Sequence, residues 1–492
     1  MHEWNFTTVN DGYTAQAHIN HVLKLHSGKM LGGSSSLGHL LYVRGSSHDF
    51  DEWVKYLVDK SWSYQNVLYY FKKSQKLDYK DFVYPGTDIF YSTNGEMGVK
   101  KLVNQISQKY LNIFKEAGHS TMFDGNRNIS LGYYEPMFMI RKGIRQSTSI
   151  AFLSPITTRS NLHILKETEA TKIYFHNLLA KGVTAVKDGK EIYIKANREV
   201  IIAAGTIKSA QLLMLSGIGI KEHLVANGIP LKKDLPVGKF YQDHLAVILV
   251  HKFKATKTNM TSYDPREMGV NMIIGNAAVN KLKPYPEYQT LNYIIPSNSD
   301  RLLSLCSLTY SFSNEVCNSL YNQTKGFETM FSLIVLLHPK SRGHVALQSK
   351  NYQHPPMVIS GFYSHEDDMK DVANYLVDFL QIQETPVYKQ YGGEFIVPKI
   401  EACDNRTGVA YWHCYALNMM VSTYDYASSC SMGQVVDEKL KVYGMSGLRV
   451  MDASVIPLLP SGNIQATVMA IGEKGADMVL RDAKHQFPAR CD

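Results

Sequence analysis

A chain of 492 residues with 45% hydrophobic, 11% aromatic and 20% charged positions is long enough for two or three domains and too apolar to be disordered. No run approaches the ~18 consecutive apolar residues of a membrane span, and the formal charge of +8 is spread without a basic block, which argues against nucleic-acid binding. The cysteines Cys306, Cys317, Cys403, Cys414, Cys430 and Cys491 form no CxxC and no ligand spacing with histidine, so no metal site is expected.

In chain order, the first feature is GKMLGGSSSLGHLLYVRG, Gly28 to Gly45, a loop whose glycines let a backbone approach a phosphate closely. The alternation of Leu41 and Val43 behind it fits a strand or the start of a helix. DEWVKYLVDK and YQNVLYYFKKSQKL space apolar residues as amphipathic helices do, and a Gly/Pro/Tyr-rich connection follows from Tyr84 to Gly98. From Asn161 onward, alternation broken by HNL and KDGK predicts a strand meander with a hairpin turn. It ends in VIIAAG, Val200 to Gly205, with the helical pattern TIKSAQLLMLSG directly behind. A strand stopping on small residues before a helix marks the carboxyl edge of a parallel sheet, where nucleotides lie, although an ordinary packing turn has the same pattern.

Residues 260–330 turn polar and irregular and read as a linker or variable surface region. FSLIVLL, Phe331 to Leu337, suits a buried strand, and SRGHVALQS resumes strand character. HEDDMKDVANYLVDFLQIQET is an amphipathic helix. GLRVMDASVIP opens a last strand, loop and helix, and no internal repeat is visible.

Four separated stretches resemble signatures of the glucose-methanol-choline (GMC) oxidoreductases, in particular the insect branch typified by glucose dehydrogenase and ecdysone oxidase. They are GKMLGGSSSLGHLLYVRGSSHDFDEW; GTIKSAQLLMLSGIG, with Ala210 where proline is usual; PKSRGHVALQS; and the tail GLRVMDASVIPLLPSGNIQATVMAIGEKGADM. Shorter matches, GIRQSTSIAFLSP, NLHILKETEATKIYF and VGKFYQDHL, lie between them in register. The resemblance covers nearly the whole chain.

It implies an α/β fold with an α+β substrate part: a doubly wound FAD-binding domain assembled from discontinuous segments, and a substrate domain on an antiparallel sheet with flanking helices. The expected division is 1–251 for the FAD-binding region, 252–335 for a variable or substrate region, and 336–480 for the carboxyl-terminal domain. The cofactor implied is FAD. Gly32, Gly33, Ser34, Ser35 and Gly38 would lie against the pyrophosphate and flavin, Ala170 at a strand end would face the adenine, and Ala204 and Gly205 would lie at the sheet edge. Asp452 and Ala453 would border the phosphates, and Asn463, Ile464 and Thr467 the isoalloxazine. Asp452 must then accept hydrogen bonds from ribityl hydroxyls or backbone N–H groups, unless it is only a turn cap in VMDAS.

Three departures from the pattern stand out. No GxGxxG occurs anywhere in the sequence, although the family opens its dinucleotide site with one; the expectation is an incomplete product of a longer gene, or a protein that has lost tight FAD binding. Gly38 and His39 replace the usual asparagine and a small residue. In STYDYASSCSMG, Asp425 stands where the family's catalytic histidine belongs, while Tyr424, Cys430, Met432 and Gly433 match.

The implied chemistry moves hydride from a carbinol carbon to flavin N5 while a base takes the hydroxyl proton. Asp425 and Asn463 fall on the catalytic pair, Asn463 as the residue that orients the substrate oxygen. An aspartate at pKa ~3.9 is a weaker base than histidine at ~6.5 unless burial raises it. Its fixed charge would also oppose an anionic reduced flavin. His39 reads more simply as a loop histidine than as an active-site one, His244 as structural, and the serine of SGNI as no nucleophile.

The leading reading is an FAD-dependent enzyme oxidising a CH–OH group of a sugar or steroid alcohol, with no nucleic-acid partner; the contrasting one is a catalytically impaired relative that binds small molecules. The six cysteines fit three disulfides or free thiols, with Cys403 and Cys414 spaced for a local bridge. Sequons at Asn5, Asn128, Asn259, Asn322 and Asn405 favour secretion, although MHEWNFTTVN carries no apolar signal segment.

Overall fold

The structure, a computed structural model, describes residues 2–78, 87–102, 105–127, 131–255, 271–297 and 299–486. The apolar strand Val200–Ile202 pairs in parallel with Leu448–Val450, register Val200 to Leu448. Each strand runs into a turn at its carboxyl end, Val200–Ile202 toward the helix Gly205–Leu215 and Leu448–Val450 toward the short turn Ala453–Val455. Asp452 ties the two ends together: its carboxylate accepts from Gly205 N at 2.8 Å and Ser209 Oγ at 2.5 Å. The expected sheet edge is thus built from segments almost 250 residues apart. Beside it lies the predicted meander, Thr168–His176, Leu179–Lys187 and Lys190–Lys195, antiparallel throughout.

A second, larger sheet has seven strands and is antiparallel throughout. Its order is Glu394–Ile396, Leu245–Phe253, Glu328–Leu336, Tyr288–Ile295, Met272–Ala277 and Gly132–Tyr134, with Met420–Ser422 also pairing Leu245–Phe253. Every residue of Glu328–Leu336 is buried, as FSLIVLL predicts, because the helix Glu366–Leu380 packs on the strand.

The linker reading of 260–330 is corrected by this sheet. Met272–Ala277 and Tyr288–Ile295 are central, wholly buried strands, and Asn314–Thr324 is a helix. Several of their polar residues bond inside the sheet: Asn292 Nδ2 donates to Ile273 O and Thr290 Oγ1, and Ser332 Oγ donates to Asn292 Oδ1 at 2.8 Å. A buried polar ladder looks like surface composition when read along the chain.

Leu41 and Val43 belong to neither a regular strand nor a helix start. Residues 41–44 form no regular element beyond a bridge from Leu41 to Phe138, and the helix Ser47–Leu57 begins only after Ser46, where Ser46 and Asp49 form a reciprocal capping box. Residues 84–86 of the Gly/Pro/Tyr-rich connection lie outside the described residues; the remainder holds the short helix Thr87–Phe90 and the start of the strand Met97–Lys101.

Disulfides join Cys403 to Cys414 and Cys306 to Cys317, and Cys430 is a buried free thiol. Cys491, Asn128 and Asn259 lie outside the described residues. Among the described residues, no helix is long and apolar enough to cross a membrane, and no group of three metal-ligating side chains occurs.

Candidate active site

The Gly/Ser loop takes its shape from steric necessity. A Cβ on Gly28 would come within 2.4 Å of the Gly33 carbonyl, so the loop closes on itself only with glycine there. Gly33 adopts φ +53° and Gly205 φ +80°, both left-handed, and a Cβ at either would meet nothing within 4 Å. That open space is a cleft of about 1780 Å³ between the loop, the parallel sheet edge and the antiparallel sheet. Drug-sized ligands occupy pockets of ~300–1,000 Å³. The cleft is therefore large enough for a dinucleotide with a second molecule beside it.

Gly32, Gly33, Ser34, Ser35 and Gly38 line this cleft, as do Ala170, Ala204, Gly205, Asp452, Ala453, Asn463 and Ile464. Thr467 does not: it is buried behind the wall, its hydroxyl donating to Arg44 O at 3.4 Å. Ala170 is the third residue of its strand, opposite Ala185. The two serines are partly spent within the protein, because Ser34 Oγ accepts from Gly28 N and Ser35 Oγ donates to Gly32 O and accepts from Thr148 N. Asp452 accepts two further bonds from Ser454 N and Oγ. Four protein donors thus satisfy its carboxylate, and it caps the turn behind it as VMDAS suggests.

Asn463 is positioned by a residue more than 400 positions away in sequence. Asp49, which caps Ser47–Leu57, also accepts from Ser461 N at 2.7 Å and Ser461 Oγ at 2.8 Å. One carboxylate therefore fixes both a helix start and the SGN turn. His338 Nε2 stands 3.3 Å from Ser461 Oγ, a neighbour no sequence spacing reveals, but the same nitrogen faces Asp49 at 3.2 Å and the serine is buried. No nucleophile results. Asn463 Nδ2 donates to Asp425 Oδ2 at 3.3 Å, while Asn463 Oδ1 and the neighbouring Gln465 Nε2 are buried without a protein partner among the described residues.

Asp425 reaches the cleft with Oδ2 crowded and Oδ1 holding one donor. Oδ2 accepts from Thr423 Oγ1 at 2.8 Å and from Asn463 Nδ2, and faces His244 Nδ1 at 3.1 Å; Oδ1 accepts from Ile464 N at 3.1 Å. Below it, Asp243 accepts from Asp425 N at 3.0 Å, and burial, with the Asp425 charge adding to it, raises the Asp243 carboxyl well above the usual range. His244, fully buried, spans from Asp425 to Leu337 O, the structural part expected of it.

His39 is not a plain loop histidine. It lines the cleft half-buried, with Nδ1 2.5 Å from Tyr293 Oη on the strand Tyr288–Ile295, 254 positions away. Burial, followed by the charges of Arg301, Arg145 and His26, pushes its ring down to about 4 against a smaller opposing pull from Asp425. The ring is neutral at pH 7. Pairing across the sheet puts Leu291 and Leu333 side by side with Tyr293, and Leu308, Tyr310 and Tyr424 complete an apolar, aromatic wall beside His39. Tyr310 and Tyr424 stack at 6.1 Å. The sequence offered no signal for this wall except the residues' apolarity.

The family model for the amino-terminal part of GMC oxidoreductases matches residues 7–246, and that for the carboxyl-terminal part matches 339–472. The chain belongs to the GMC oxidoreductase family. It is 35% identical over 496 residues to an ecdysone oxidase of Bombyx mori, covering 97% of this chain and 73% of the relative. It is 30% identical to a glucose dehydrogenase [FAD, quinone] of Drosophila melanogaster, over 92% and 74% of the two chains. Among solved structures, a formate oxidase superposes with TM-score 0.81 at 21% identity, covering 99% of this chain and 89% of that one. The pyridoxine 4-oxidase of Mesorbium loti gives 0.80 at 19%, covering 98% and 89%. GMC oxidoreductases are FAD-dependent alcohol-oxidising enzymes, so the enzyme reading of this GMC chain stands over the binding-module reading.

Proposed function

We propose that this GMC oxidoreductase oxidises a secondary hydroxyl of a steroid alcohol to the ketone. The observation that carries the substrate class is the wall beside His39 and Asn463: Leu308 and Tyr424 present apolar surface to the cleft, and Leu291, Tyr293, Tyr310 and Leu333 pack directly behind it. A sugar would leave most of its hydroxyls unpaired against such a wall, each at a cost of ~1–3 kcal/mol.

The residues present fit FAD. Left-handed glycines at Gly33 and Gly205 leave open space where a side chain would stand, and Gly32, Ser34, Ser35 and Gly38 bring main-chain and hydroxyl groups to the same face of the cleft. Ala170 and Ala204 would border the adenosine part, Ala453 the phosphates, and Ile464 the ring system, with Asp452 and Thr467 bracing the walls behind. Bound FAD supplies the two-electron acceptor for the carbinol hydride. Asn463 orients the alcohol oxygen with its amide, and Asp425 holds Asn463, Ile464 and Thr423 in place. Residues 1–251 form the cofactor part in this reading, 252–335 complete the substrate sheet, and 336–480 carry the Asp425 and Asn463 turns.

Two disulfides and exposed sequons at Asn5, Asn322 and Asn405 support an oxidising, extracytoplasmic location. The substrate test is flavin reduction in the purified holoprotein under anaerobic conditions, with hydroxysteroids and glucose compared at equal concentration. Bleaching of the flavin by a hydroxysteroid and not by glucose is expected. The reverse preference overturns the steroid reading.

A further inference from the structure

The alcohol's hydroxyl proton needs an acceptor, and Asp425 is poorly placed to be one. An ionised carboxylate offers about four lone-pair directions, two on each oxygen; Thr423, Asn463 and His244 crowd Oδ2 of Asp425, while Oδ1 holds Ile464 N. A proton arriving at Oδ2 would have to displace one of these partners, and one arriving at Oδ1 would compete with the bond that holds the Ile464 backbone. His39 has the complementary arrangement. Nδ1 is engaged by Tyr293 Oη, and Nε2 has no protein partner among the described residues. The ring stands in the cleft wall next to the apolar surface read above as the steroid site.

We propose that His39, through Nε2, takes the hydroxyl proton of the alcohol substrate. The inference rests on the oxidoreductase reading of the preceding section. As the C–H hydride leaves for the flavin and the C–O bond becomes C=O, the O–H bond breaks and its proton forms N–H at Nε2. The imidazolium then returns the proton to water. For Nε2 to present a lone pair, Nδ1 must carry the hydrogen and donate it to Tyr293 Oη, which a phenol oxygen can accept, so Tyr293 is a positioning residue that holds the ring. Arg145 donates from Nη1 to Gly38 O at 2.6 Å and holds the backbone one residue before the imidazole.

Burial first, and then the groups facing His39, set its charge. Arg301, Arg145 and His26 disfavour a second proton, and Asp425 favours one. The ring consequently enters the reaction neutral, and the cation formed during it has one carboxylate nearby; at about 4 the ring is no stronger a base than a free carboxylate, so what recommends it is the open Nε2 and not basicity. This explains how a member of the family retains a proton acceptor although the position of its usual histidine is filled by Asp425.

Two measurements test the proposal on the holoprotein. The first reads no activity: diethyl pyrocarbonate acylates accessible neutral imidazole nitrogens, and peptide mass mapping locates the adduct. His39 is expected to be modified at neutral pH and protected by a bound hydroxysteroid, whereas His18, His244 and His251 stay unmodified because they are buried. A native protein unmodified at His39 overturns the proposal. The second compares flavin reduction in His39→Gln and Asp425→Asn across pH. His39→Gln should reduce ~10² to 10⁴-fold more slowly, with steroid affinity kept and the acid limb of the wild-type profile gone; Tyr293→Phe should show a smaller loss of the same kind. If His39→Gln reduces at the wild-type rate, or Asp425→Asn alone removes the acid limb, His39 is not the acceptor. If the wild type oxidises a sugar and no steroid, the substrate reading fails and the same comparison is run with that sugar. There the same loss supports the proposal, and an unchanged rate overturns it.

Discussion

Asp425 shows how a residue can sit at a catalytic position and hold structure. Its carboxylate gathers donors from Thr423, Asn463 and Ile464 and faces buried His244. Asp425→Ala would leave these groups unpaired, and breaking a buried charged network costs about 3–5 kcal/mol. A fall of that order in the denaturant-derived folding free energy is expected; a change under ~0.5 kcal/mol, the scale of ordinary surface substitutions, would show that the network is not formed. Asp425→His should also destabilise, because one neutral imidazole cannot accept from donors that converge on two oxygens. It should not speed alcohol oxidation. Signature spacing made Asp425 and Asn463 legible in the sequence. The bond between His39 and Tyr293 was not, since a partner 254 positions away is chosen by the sheet and not by local pattern.

The helix Ser47–Leu57 and the SGN turn share one carboxylate. Asp49 receives Ser46 N at 2.6 Å within the capping box and Ser461 N and Oγ across the molecule. Its replacement by alanine removes a helix cap worth ~1 kcal/mol together with charge-assisted bonds worth ~1.5–3 kcal/mol each before compensation. Asp49→Ala should lower stability by about 2–4 kcal/mol on these terms and slow flavin reduction by loosening Asn463. A variant with lower stability and an unchanged reduction rate would separate the cap from the site. The Cys403–Cys414 bridge closes a short loop with a sequence separation of 11, so Cys403→Ser/Cys414→Ser should cost about 3 kcal/mol, read by the same denaturation experiment. Elements with strong periodicity, such as Glu366–Leu380 and the apolar core of Glu328–Leu336, were legible. Met272–Ala277 and Tyr288–Ile295 were not, because Asn276, Gln289, Thr290 and Asn292 point into buried surroundings and bond to other buried groups, which reverses the usual meaning of polar residues.

At the scale of the whole molecule, the two halves are joined by chain segments that cross repeatedly, and several histidines lie buried in the packing so formed. His18 places Nδ1 2.9 Å from Tyr310 O and Nε2 2.8 Å from Met420 O, and burial pushes its ring down to about 4. His251, in the strand Leu245–Phe253, is packed against Phe379, Tyr388 and Phe395, and burial pushes it to about 3. In the unfolded chain both titrate near ~6.5. A histidine with a depressed folded pKa leaves stability intact above ~6.5 and erodes it as pH falls toward the folded value, because the unfolded state binds the proton that the native state refuses. Asp243 acts in the opposite direction: its raised carboxyl favours the native state most at acid pH and loses that contribution as pH rises. The net curve therefore mixes signs, and a single substitution isolates one of them. His251→Phe keeps an aromatic ring among aromatic rings and leaves only the Tyr388 hydroxyl, 2.9 Å from Nδ1, without its partner, a cost independent of pH in this range. Between pH ~7 and ~5 the wild type should lose about 2 kcal/mol more stability than the variant, one proton's linkage over the interval below ~6.5. Denaturant titrations of both proteins at the two pH values measure that difference directly. Parallel curves would show that His251 carries its proton in the folded state as readily as in the unfolded one.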